Sequence, residues 1–293
     1  MMKKILVPTD FSAPAENAAH YAIALAKVLK AEVILCNAFK VPADAPMAGQ
    51  VAWPLLDYTD MQSFSTSELD KQIEKLTDPL CENKADVYCP ALSYQSALGT
   101  VCDVVDVLVK EKQIDLVVMG MAGAGGLVQF ILGSNSRAMI ERLCYPVLFV
   151  PYEASFKKIR KIVFATDLSS DDLKPLKYLI NIAASCDATI VVMHITDFET
   201  QKNEEDQQVL ESFFDKVSAK INYPKVRYEY VWNTNLDNGL AWVAQQKDVD
   251  MMGIVHHQHL LIDRIFNGSH TQKLARRTQI PLLVFPPNER LVF

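Results

Sequence analysis

No apolar run in this chain reaches the roughly 20 residues that a membrane-spanning helix needs. The short run in MMKKILVPTDFS is broken by Pro8 and Asp10, so it reads as a buried strand and not as the core of a secretory signal. Positive charge is scarce as well: 29 Lys and Arg stand against 35 Asp and Glu, a formal net charge of -6. A nucleic-acid partner would require clustered cations opposite its phosphates. The most basic stretch, FKKIRK at 156–161, reads as a solvated linker. Six cysteines, at 36, 81, 89, 102, 144 and 186, form no C-x-x-C pair. That pattern predicts reduced thiols without metal or redox roles. The sequence also lacks the lysine of a G-x-x-x-x-G-K-[ST] loop, a Ser-His-Asp context and an arranged set of metal carboxylates. At 50% hydrophobic and 22% charged over 293 residues, the mix is globular and long enough for two domains. A soluble, cytoplasmic protein is expected.

What the chain does carry is concentrated in LVVMGMAGAGGLVQFILGS at 116–134. An apolar run ends at Gly120, Gly123 follows, and Gly133-Ser134 opens a helical segment, SNSRAMIERL. Glycines at 120 and 123 would let the backbone approach a ligand. Gly133 and Ser134 would set free N–H groups and a hydroxyl at a helix N-terminus, where anions bind. The stretch therefore reads as a seat for nucleotide phosphates; a plain structural turn is the other reading.

The chain also repeats itself. ILVPTDFS at 5–12 matches IVFATDLS at 162–169, and RLCYPVLFVP at 142–151 matches RTQIPLLVFPP at 277–287. Asp10 pairs with Asp167, and Pro146 with Pro281. The separation is shorter in the second pair, so the first half holds extra residues. They fit best between 40 and 66, a three-proline segment that reads as a loop or lid. Each half alternates strand and helix signals, and strands 1, 2 and 4 are continuous apolar runs, as parallel strands covered on both faces are. The predicted first-half order is ILVPT, a helix over ENAAHYAIALAKVLK, EVILCNAF, a helix over SELDKQIEKLTDPLCEN, DVYCPALS, a helix over VCDVVDVLVKEKQ, DLVVMG, a helix over SRAMIERL, and PVLFVP. Domain 1 is placed at 1–152 and domain 2 at 158–293.

These motifs resemble the universal stress protein family in its tandem two-domain form, over nearly the whole chain. The resemblance implies two doubly wound α/β domains of the adenine nucleotide alpha hydrolase-like kind. Each would have a five-stranded parallel sheet of order 3-2-1-4-5, the two forming an intramolecular pseudo-dimer. In ATP-binding members the equivalent of Asp10 lies near ribose and phosphates, and that of the Ala38 backbone meets the adenine edge. The equivalents of Gly120, Gly123, Gly133, Ser134 and Ser136 hold ribose and phosphate. The implied ligand is ATP or another adenine nucleotide, with Mg²⁺ as an optional companion of Asp10. A homodimer and a protein partner are left open.

The second half keeps Asp167, Gly253, Gly268 and Ser269, with His256 read at the Gly123 position. Eleven residues then separate His256 from Gly268, against nine between Gly123 and Gly133. The loop HHQHLLIDRIFN is bulky, so the second cleft is expected to bind nucleotide poorly or not at all. Asp10 and Asp167 each have a second reading as helix N-caps. His256, His257 and His259 lack H-x-x-x-H spacing and a nearby cysteine, so no metal is expected. Trp53 and Tyr58 could cover a base or simply anchor a loop. No catalytic residue is assigned. The leading reading is a stress-responsive, ligand-dependent binding module; a slow ATPase or autokinase and a nucleotide-free scaffold are the alternatives.

Overall fold

A computed structural model describes residues 2–40, 58–77, 88–121, 134–195, 222–231, 248–256 and 280–286, with scattered positions between 211 and 246. The first half runs β1 (Lys4–Pro8), α1 (Ala13–Leu29), β2 (Glu32–Phe39), α2 (Tyr58–Leu76), β3 (Leu92–Leu98), α3 (Val101–Lys112), β4 (Leu116–Met121), α4 (Ser134–Glu141) and β5 (Val147–Pro151). The second half supplies β6 (Lys161–Thr166), α5 (Leu173–Cys186), β7 (Thr189–Ile195), β8 (Val226–Val231), β9 (Met251–Val255) and β10 (Leu282–Phe285).

The strands form one sheet of order β3-β2-β1-β4-β5-β10-β9-β6-β7-β8. Each half is thus a parallel 3-2-1-4-5 sheet. The halves join where β5 pairs antiparallel with β10, with Leu148 opposite Leu283. Alternate residues on each strand feed two apolar layers. Ile5, Val7, Val33, Leu35, Leu116 and Val118 face one way with α1 and α5. Leu6, Ile34, Val117 and Met119 face the other with α3 and α4. Strands covered on both faces explain the unbroken apolar runs.

One contact crosses between the halves, and others recur within each. Tyr178 of α5 donates to the Asp115 carbonyl at 2.8 Å, and its ring meets Phe285 edge-on at 5.4 Å. Its counterpart Tyr21 on α1 meets Phe156 edge-on at 5.1 Å. The Asp115 carboxylate accepts the Lys3 and Lys4 amides, and Asp250 accepts those of Arg160 and Lys161 in the same way.

Several expectations change. The helix predicted from residue 67 starts at Tyr58, so α2 takes the end of the segment read as a loop. The third strand lies later than DVYCPALS, because Pro90 offers no N–H to a ladder and pairing with β2 begins at Leu92. Cys36, Cys102, Cys144 and Cys186 are free, but Cys89 is disulfide-bonded, against the expectation of reduced thiols. Disulfides depend on which cysteines meet in space, and sequence spacing carries little of that.

Gly120 and Gly253 differ sharply in what they tolerate. A Cβ on Gly120 would strike α1 backbone: the Pro14 carbonyl, its carbon at 2.6 Å, and the Ala15 nitrogen at 3.0 Å. A Cβ on Gly253 would meet the tip of the Leu179 side chain at 2.7 Å, which can swing away. Gly120→Ala is expected to destabilise the fold by about 1–3 kcal/mol or more, and Gly253→Ala by about 1 kcal/mol or less. Thermal unfolding of the two variants side by side measures this; equal melting points would refute the contrast.

Candidate functional site

Both halves make the same turn after their first strand. Thr9 Oγ1 accepts from the Phe11 amide at 3.0 Å, and Asp10 Oδ1 accepts from the Ser12 amide at 3.1 Å. In the second half Thr166 Oγ1 accepts from Leu168 at 2.9 Å, and Asp167 Oδ1 from Ser169 at 2.9 Å. Phe11 and Leu168 lie in the left-handed region at φ 64° and 66°. Such geometry is strained for an L side chain and persists because the flanking hydroxyl and carboxylate hold it. Ser12, not Asp10, caps α1, its Oγ accepting from the Ala15 amide. Asp10 therefore stays exposed at the strand end.

The ends of β1 and β4 flank the point where strand order reverses, the place where open α/β sheets bind ligands. A cavity of about 290 Å³ opens there. Thr9, Asp10, Ser12 and Ala15 form one wall, Met119 and Gly120 the floor, Cys36 and Ala38 the β2 side, and Ser134, Asn135 and Ser136 the opposite wall. The first amides of α4 have no intrahelical acceptor and so are available to an anion. Among the described lining residues Asp10 is the charged one. From the described lining residues an anion would be met by dipoles and not by lysine or arginine. Burial pushes the Cys36 thiol up to about 12, so it is a neutral wall atom and not a nucleophile.

Two networks hold the walls. The Asn37 amide donates to the Thr9 carbonyl at 2.8 Å and its oxygen accepts from Ser65 of α2, which meets Ser96 of β3 at 2.6 Å. Arg142 joins α4 to α3 through Asp103 at 2.8 Å and Asp106 at 3.3 Å. The Thr100 hydroxyl and Arg142 hold the Asp103 carboxyl below its usual range.

Five residues proposed from sequence, Asp10, Ala38, Gly120, Ser134 and Ser136, line this one cavity. Gly123 and Gly133 lie outside the described residues, as do Gly268, Ser269, His257, His259 and Trp53. Sequence reasoning missed Thr9, Ser12, Ala15 and Asn37. Thr-Asp recurring in both halves was a signal for the first; nothing local marked Asn37. Gly120 needs correction too: the atoms that exclude its side chain belong to α1.

Strand register also corrects the second half. β1 sets Leu6 against Val117, and β6 sets the equivalent Val163 against Met252. Counting onward, Gly253 matches Val118, Val255 matches Gly120 and His256 matches Met121. Gly253 lies buried inside β9, not at the cleft, and His256 is not the Gly123 counterpart. Gln258 is, and nine residues separate it from Gly268, as nine separate Gly123 from Gly133. The second half has lost both cleft glycines without changing loop length. Tyr58 packs against Phe39 with ring centroids 5.5 Å apart.

Fold and site define a tandem doubly wound α/β protein with a dipole-lined cleft at the first switch point. The model described as "Universal stress protein family" matches residues 1–151 and again 158–286. The chain belongs to that family. A universal stress protein of Synechocystis sp. is 23% identical over 298 residues, covering 97% of this chain and all (100%) of that one. One from Methanocaldococcus jannaschii is 27% identical over 150 residues, covering 51% of this chain and 82% of its own. The crystal structure of a universal stress protein from Archaeoglobus fulgidus superposes with a TM-score of 0.64 at 15% identity, covering 97% and 98% of the two chains. Among the described residues, no helix is long and apolar enough to cross a membrane, and no cluster of three His, Cys, Asp or Glu could hold a metal.

Asn37→Ala leaves the Ser65 hydroxyl and the Thr9 carbonyl short of partners. It is expected to cost about 1–3 kcal/mol and to loosen the turn bearing Asp10. Denaturant unfolding reads the first effect; a wild-type midpoint would refute it.

Proposed function

We propose that the first cleft binds ATP or a related adenine nucleotide, and that its occupancy makes the protein a ligand-dependent regulatory module in a stress response. The observation that carries this reading is the convergence of Asp10, Gly120 and Ser134–Ser136, far apart in sequence, on one cavity at the strand ends. The Ala38 backbone at the end of β2 offers hydrogen-bonding groups to the adenine edge. Amides and hydroxyls at the start of α4 take the phosphates, and the family resemblance adds Gly123 and Gly133 to that role. Asp10 takes the ribose, or a Mg²⁺ that offsets the charge of carboxylate and phosphates together. The cavity is near the lower end of small-molecule pockets, which are about 300–1,000 Å³, and matches a nucleoside with its phosphates reaching toward α4.

Domain 1, 1–152, is thus the nucleotide-responsive unit. Domain 2, 158–293, is its partner in an intramolecular pseudo-dimer, a reading supported by the β5–β10 pairing. The absence of cationic side chains among the described lining residues favours holding a nucleotide over turning it over.

Calorimetry of the full chain with Mg-ATP is expected to give one site. Asp10→Asn should weaken it by about tenfold, the loss of one charge-assisted contact, and reduce its dependence on Mg²⁺. Absence of heat in the wild type would reject the reading. Radiolabelled ATP incubated with the same protein should stay intact; steady turnover, or phosphate carried on the chain, would favour the enzyme.

A further inference from the structure

Among the described residues, counterparts in the two halves differ at the start of the first helix. Where α1 begins at Ala13 directly behind its Ser12 cap, α5 begins at Leu173, after a single 3-10 turn over Ser170–Asp172. The halves carry no insertion here: the left-handed residues Lys30 and Asp187 end both helices at equivalent positions. The altered first turn accompanies Val255, whose side chain stands where Gly120 has none. It also brings acid to the cleft wall. Pro14 and Ala15, which line the first cavity, are replaced by Asp171 and Asp172.

Asp172 is wholly buried, at 0% exposure. It occupies the N-cap position of α5 without making the side-chain cap bond. Its Oδ2 instead accepts from the Thr166 hydroxyl at 2.5 Å. Thr166 Oγ1 thus accepts from the Leu168 amide and donates to Asp172. Thr166 is the counterpart of Thr9, a lining residue of the first cavity. A carboxyl group thus lies directly behind the wall of the second cleft, where its charge when ionised would be poorly screened. It also opposes the positive end of α5, the feature that would otherwise attract phosphate.

We propose that Asp172 is the specificity-determining residue of the second cleft: its buried carboxylate, held by Thr166, excludes polyphosphate and confines nucleotide to the first cleft. This rests on the nucleotide reading of the first cleft and names the residue that separates the two. Histidines or an irregular loop spacing are not required.

The test uses the full chain, 8-azido-ATP with Mg²⁺, photolysis, and mass mapping of labelled peptides. Wild type should be labelled within 1–152 only. Asp172→Asn, which keeps shape and loses charge, and Asp172→Ala, which restores the first-half residue, should add labelling within 158–293. Excess ATP should compete it away, and apparent affinity there should rise by about tenfold or more. Folded variants with an unlabelled second half would overturn the proposal, as would a wild type labelled equally in both halves. Should both variants fail to fold, Ala15→Asp decides: loss of first-half labelling is expected, and full labelling overturns the proposal. A wild type unlabelled everywhere rejects the nucleotide reading instead, while a gain in Asp172→Asn still supports the exclusion role.

Discussion

The geometry of the first cleft depends on the close approach of α1 to the end of β4. The Pro14 carbonyl and Ala15 nitrogen lie so near Gly120 that no side chain fits between them. The start of α1 is thereby drawn over the sheet's switch point, and Ser12 and Ala15 become a cavity wall. The Thr9–Asp10 turn is then aimed at α4 across a gap that a ligand can span. A glycine that looks like a ligand-approach residue is first a helix-packing residue, and the cleft is a consequence of the packing.

The second half shows the same architecture after that constraint is lifted. Val255 replaces the glycine, the first turn of the helix becomes a 3-10 turn, and a carboxylate enters where Ala15 stood. The turn after the first strand nevertheless survives unchanged, left-handed residue included. His194 replaces Asn37 and keeps its bond, with Nδ1 at 2.9 Å from the Thr166 carbonyl. The supports of the site have been preserved while its floor and wall chemistry have diverged.

Joining the halves through β5 and β10 ties these differences into one body. The two apolar layers continue across the seam, and Tyr178 reaches from the second half to the Asp115 carbonyl at the base of β4. The strand whose far end floors the first cleft is therefore braced at its near end by the helix whose start walls the second. Buried, close-packed contacts of this sort transmit displacement poorly by bending and well by shifting as units.

Much of this was legible in the residues. Unbroken apolar strands and the repeated Thr-Asp turn announced two parallel sheets, because burial on both faces leaves direct compositional traces, and Asp10, Gly120, Ser134 and Ser136 meet at one cavity as the motifs suggested. The limits of β3 and α2 were less legible, since a half-exposed edge strand and a polar helix face carry weak periodicity. Register was easily misread: Gly253 looks like Gly120 in sequence, but the pairing of β9 with β6 sets it two residues deeper, in line with the offset that Pro146–Pro281 and Gly133–Gly268 share. Which side chain a missing Cβ makes room for, and which carboxylate ends up buried behind a wall, are facts of close packing between segments remote in the chain. Sequence alone determined the elements and their chemistry; tertiary contact decided what packs at the two strand ends, the α1 backbone against Gly120 in one half and a buried Asp172 beside Thr166 in the other.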